Sequence, residues 1–195
     1  MQRITTTKAW TLGALLLIAG FVSKSNAAST ATINISVSIS ATKSVSVNTT
    51  FYVFGALNLS TTSVATSSIT VTNNSGGFIE TYTLQGANAT ADVGGESNWT
   101  LNATSTGTNQ YRLGAMFSSA RPNDTDVAWD STDYLTTSAQ TCSTTAFGDG
   151  SAGDEGATVL PTAAGKDRSL WFRMITPDVS SGVGSRTAPV VIAIQ

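Results

Sequence analysis

Histidine is missing from this 195-residue chain, cysteine occurs once, and charged residues make up only 11% of it, against about 25% in ordinary globular proteins. Each shortage removes a class of function. Without imidazole there is no Ser-His-Asp or Cys-His catalytic arrangement and no histidine metal ligand. With 10 bases against 12 acids and a pI near 4.9, the chain lacks the clustered Lys and Arg that neutralise phosphates, which argues against a nucleic-acid partner. Cys142 has no second thiol to bridge to within the chain and reads as a small buried hydrophobe. What the chain has in quantity is hydroxyl: 32 Thr and 25 Ser, 57 residues together.

Residues 1–27 read as a secretory signal. Arg3 and Lys8 open it, the apolar run AWTLGALLLIAGFV follows, and Ser25 and Ala27 fit a small-x-small cleavage site, so cleavage is expected after Ala27. The apolar run is shorter than the roughly 20 residues a spanning helix needs; membrane attachment is expected only through an uncleaved signal. Removing 1–27 takes away Arg3, Lys8 and Lys24, leaving 7 bases against 12 acids and a net charge of −5. Residues 28–195 are then long enough for one domain with its own core.

After the signal, helical periodicity is nearly absent and period-two alternation recurs. In ATINISVSIS, Ile33, Ile35, Val37 and Ile39 point one way and Thr32, Asn34, Ser36 and Ser38 the other. Alternation predicts further strands at 45–47, 51–59, 69–72 and 78–84, with a hairpin or tight turn at Asn73–Gly77, where Asn and Gly tolerate positive φ. Strands are also expected at 99–103, 111–117, 170–176 and 189–195. The last, PVVIAIQ, is apolar on both faces and suggests an inner position. The expected fold is all-β: an antiparallel immunoglobulin-like β-sandwich of about seven to nine strands, with long acidic, Gly-rich loops between Ser118 and Arg168.

The run SSITVTNNSGGFIETYTLQG, followed by SLWFRMITPDVSSGVGSRTAPVVIAIQ, resembles secreted bacterial immunoglobulin-like modules, in which a strand ends in an Asn-rich turn and the final two strands frame a Pro-containing loop. A signal, an early uncharged strand and one sandwich are together similar to matrix-fibre subunits of the TasA and camelysin type. This chain lacks the lysine-rich composition of those fibre proteins and the aromatic motif after their signal. The resemblance implies architecture first and activity hardly at all.

Candidate chemistry is thin. Asp124, Asp126, Asp130 and Asp133 in NDTDVAWDSTD offer oxygens suited to structural calcium, although the register is wrong for an EF-hand and a solvated acidic loop is the plainer reading. No other cofactor is expected. Ser40-Ala-Thr-Lys43 matches a Ser-x-x-Lys pattern without its companion motifs. Trp129 and Tyr134 are the residues a polysaccharide contact would use in the 118–160 loops, stacking on sugar faces, but core packing uses the same rings.

The stretch with the largest consequence is the first one. From Ala28 to Ile79 the only charge is Lys43. An exposed edge of that composition is a template for another chain, and before Lys43 it carries none of the lysine or proline that usually blunts one. It must be covered, within its own sandwich or by donation to a neighbour. The sequence therefore points to a secreted, non-enzymatic protein of the cell envelope or extracellular matrix. In this reading it is a self-associating fibre or surface-layer subunit that pairs through residues 29–42, with Ile33, Ile35, Val37 and Ile39 filling a partner's groove. The alternative is a monomeric module binding carbohydrate or another surface protein through the 118–160 loops.

Overall fold

A computed structural model describes residues 36–40, 42–94, 96–125, 128–151, 153, 155–163 and 165–195. The chain divides after Ile39 into two units, Met1–Ile39 and Ser40–Gln195. In the first, only residues 36–39 are described, and they carry no strand. The expected signal, Ile33 and Ile35 lie outside the described residues.

The second unit is all-β. Its strands are β1 (Val45–Val47), β2 (Thr62–Val64), β3 (Ile69–Asn73), β4 (Tyr82–Gly86), β5 (Thr90–Ala91), β6 (Thr100–Leu101), β7 (Gln110–Phe117), β8 (Gln140–Thr141), β9 (Asp167–Ile175), β10 (Arg186–Thr187) and β11 (Val190–Ile194). Among the described residues the single helical turn is a 3₁₀ turn at Ser131–Asp133. The larger sheet runs β1-β3-β9-β7-β6, with β2 also on β9; β11-β4-β8 and β10-β5 form two smaller sheets. The larger sheet is mixed rather than purely antiparallel, because β6 pairs with β7 in parallel. The loop between these two strands folds fully round: the Asn102 carboxamide accepts from Thr104 N–H, and Asn109 takes a positive φ before Gln110 N–H closes onto Gly107 O.

Alternation explains which faces are buried. In β3, Ile69, Val71 and Asn73 face in while Thr70 and Thr72 stay half-buried, and β4 repeats the pattern with Tyr82, Leu84 and Gly86 inward. The middles of β7 and β9 are buried on both faces. The loop after β7 supplies the second cover: Trp129 lies where a Cβ on Gly114 would meet its ring at 3.0 Å, and the Arg112 guanidinium sits 3.6 Å over the Tyr134 ring.

The turn at Asn73–Gly77 is present, but it joins no hairpin. β3 belongs to the larger sheet and β4 to the three-stranded one, so the turn is a corner between sheets. Asn73 is the staple of that corner. Its buried amide donates to Phe78 O (3.0 Å) and Val159 O (2.9 Å), and its Oδ1 accepts from Ser75 N–H (2.8 Å). Gly77 takes φ 90°, which a side chain would resist. Replacing Asn73 by Ala leaves Phe78 O and Ser75 N–H without their partner, while Val159 O keeps only the Glu80 N–H. At about 1–3 kcal/mol for a stranded buried group, the expected loss is on the order of 3 kcal/mol. Urea unfolding should read that loss as a lower midpoint with an unchanged slope.

Candidate functional site

The acidic loop satisfies its carboxylates from within itself. Asp124 pairs with Arg121 at 3.0 Å. Asp130 Oδ1 accepts from Thr132 N–H and Oγ1–H, both at 2.6 Å, and caps the 3₁₀ turn. Asp133 completes a capping box, accepting from Asp130 N–H (3.0 Å) through Oδ2 and from Phe147 N–H (2.9 Å) through Oδ1. These bonds account for the three carboxylates locally. Asp126 lies outside the described residues, and among the described residues no group of three or more acidic or sulfur ligands could hold a metal ion. Burial is the main cause that raises the Asp133 carboxyl to about 7; the charge of Asp130 adds to it, and the two backbone hydrogen bonds act against it.

The aromatic candidates are not presented to solvent. Trp129 is 3% exposed and its indole N–H donates to Asn123 O at 2.9 Å. Tyr134 is buried, with Arg112 over its ring and its hydroxyl accepting from Arg173 Nη1. Cys142 is buried, and burial pushes its thiol up to about 12, which leaves it protonated and unreactive at neutral pH.

The feature that stands open is a groove of about 1100 Å³ in the second unit. Val45 and Val47 of β1 line it, with Val190 and Ile192 of β11. Ile69, Leu113, Phe172 and Met174 from the larger sheet also contribute, and residues 49–57 line a further part of it. Its volume exceeds the roughly 300–1,000 Å³ typical of small-molecule pockets. Charge in it is limited to Asp92 and Arg186, and Arg186 is already tied to Glu96 at 2.8 Å.

Two strand edges border this groove. Among the described residues β11 pairs only with β4 and β1 only with β3. Contrary to the inner position its composition suggested, β11 is an edge strand, with Val191 54% exposed. The direction of its free groups follows from the ladder. Gln195 N–H donates to Thr81 O, whereas Tyr82, opposite Ile194, donates to Gly156 O and accepts from Cys142 N–H. Pairing types alternate along an antiparallel ladder, so the N–H and C=O groups of Val190, Ile192 and Ile194 face away from β4. On β1, Asn48 N–H donates to Thr70 O and Ser44 O accepts from Asn74 N–H, so Val45 and Val47 are the residues whose backbone faces away from β3. Lys43 sits at one end, donating to Gln195 O (2.7 Å) and lying 3.8 Å from the buried Glu80 carboxylate.

Of the four apolar residues expected to fill a partner's groove, Val37 and Ile39 are described and are 81% and 78% exposed. The bare β11 edge and the groove beside it escaped the sequence reading. Their signal was present in PVVIAIQ, whose two apolar faces fit a strand awaiting a neighbour as well as one already enclosed. Comparison with family models, curated proteins and solved structures finds no match to this chain.

Proposed function

We propose that this chain is a secreted, non-enzymatic structural protein of the cell surface or extracellular matrix. It self-associates when an arm of residues 29–42 from one copy pairs with another. In this reading the two larger sheets act as the halves of an immunoglobulin-like sandwich left open along the β1–β11 seam. The observation that carries the proposal is the β11 edge: five uncharged residues, VVIAI, with free backbone groups bordering an apolar groove. Natural edges of this kind are blunted by charge, proline or a cover, and here Pro189 stands only at the start. Main-chain bonds would supply affinity, and alternate side chains would supply fit.

The arm has the complementary chemistry. It is charge-free, alternates Ile33, Ile35, Val37 and Ile39 with polar residues, and leaves Val37 and Ile39 in water. Sugar binding through the 118–160 loops has less support, because Trp129 and Tyr134 are enclosed. A chain lacking residues 28–42 should remain monomeric, with a cooperative thermal transition, at concentrations where the whole secreted chain forms assemblies in sedimentation and negative-stain images. A whole chain that stays monomeric from micromolar to millimolar concentration would sink the proposal.

A further inference from the structure

We infer that residues 49–57 form a second wall of the accepting site, a segment without ladder partners in the isolated subunit that becomes a strand when an arriving arm fills the groove beside it. The inference rests on the strand-donation reading and specifies where the donated segment sits.

The segment TTFYVFGAL has the residues of a strand without the bonds of one. Phe, Tyr and Val favour a pleated, half-buried surface, and burial alternates along it: Tyr52 and Phe54 are half-buried, while Phe51 and Val53 are 69% and 63% exposed. Tyr52 and Phe54 pack edge to face with centroids 5.0 Å apart. No strand is formed by 49–57, and among the described residues no backbone hydrogen bond joins Tyr52–Leu57 to any other segment. The segment is nevertheless held at its ends. Asn48 N–H is bonded to Thr70 O before it, and Ser60 N–H to Pro177 O after it. In between, the Tyr52 hydroxyl accepts from Thr66 N–H at 2.7 Å. Gly55, at φ 77°, breaks the extended run.

A tethered, uncharged, strand-like segment and a bare strand edge line the same apolar groove, which makes it a slot with unpaired backbone groups from two elements. Unsatisfied backbone groups in such a place gain most from a partner that is itself backbone. The occupant we assign is residues 29–40 of a second copy. This segment precedes β1, alternates apolar and polar residues as a slot with one greasy side demands, and carries no charge to bury. Its Val37 and Ile39 lack cover in their own subunit.

Hydrogen exchange on the secreted chain, held at a concentration where light scattering finds monomer, tests the assignment with a synthetic peptide of residues 29–40 as probe and a scrambled peptide as control. In the free chain the amides of Ile192 and Ile194, and those of Val53–Leu57, should exchange rapidly. With saturating peptide both groups should slow by tenfold or more, and the scrambled peptide should slow neither. If the β11 amides slow while Val53–Leu57 stay fast, the second wall is overturned and strand donation stands. If neither group responds, both fall.

Discussion

Ile192→Lys should hold the chain monomeric at concentrations where the proposed strand donation assembles it. The substitution places an ammonium among Val45, Val47 and Val190 on the groove wall, where an incoming apolar strand would have to desolvate it. Loss of one well-buried isoleucine contact is worth about 1.5–3 kcal/mol, and each 1.4 kcal/mol is tenfold in affinity. The concentration for half-assembly should therefore rise by roughly ten- to a hundredfold from the lost contact alone, and further from the buried charge. Ile192 is half-buried in the free chain, so the subunit should still fold. Ile35→Asp would damage the donor instead of the acceptor. Mixing the two variants is the sharper measurement: one can still donate and the other can still accept, so sedimentation should show a heterodimer and nothing longer. Long assemblies from either variant alone would refute the pairing.

The second large effect concerns pH. Asp133 has an ordinary carboxyl value near 3.8 when unfolded and about 7 when folded, chiefly because burial disfavours its charged form. A raised folded value means that its stabilising contribution is complete below about pH 4, declines as pH rises through 7, and is flat above that. At about 1.36 kcal/mol per unit, the span is on the order of 4 kcal/mol, roughly 10 °C in melting temperature for a domain of this size. Asp133→Asn cannot ionise, so the wild type's advantage over the variant should shrink by that amount between pH 4 and pH 7.5. Thermal scans of both proteins at several pH values give the comparison. Parallel curves would mean that Asp133 is ionised in the fold throughout.

Local alternation carried most of the strand positions. β3, β4, β7 and β9 fall close to where period-two patterns place them, because in each one face is apolar and the other is hydroxylated or lies under a loop; β11 was legible as an apolar run instead. Pairing was harder to read. Asn73–Gly77 looks like a hairpin turn, yet the Asn73 side chain bonds Val159, 86 residues away, and holds a corner instead. Thr49–Leu57 has strand composition but no ladder, since its neighbours are decided by chain segments far away in sequence. Trp129 and the aspartates read as binding groups because they fall in a polar loop. The role of Trp129 as cover over Gly114 and those of Asp130 and Asp133 as backbone caps depend on how that loop folds back across β7, which no local pattern records.

The groove beside β11 also has a thermodynamic signature. With only Asp92 and Arg186 among its charged lining residues, contacts made there owe little to Coulomb attraction, so brine should not loosen them as it loosens ion pairs. Chilling should, because water-driven attraction between apolar surfaces fades as temperature falls. A material joined through this seam would hold in salt and warmth and come apart most readily in the cold.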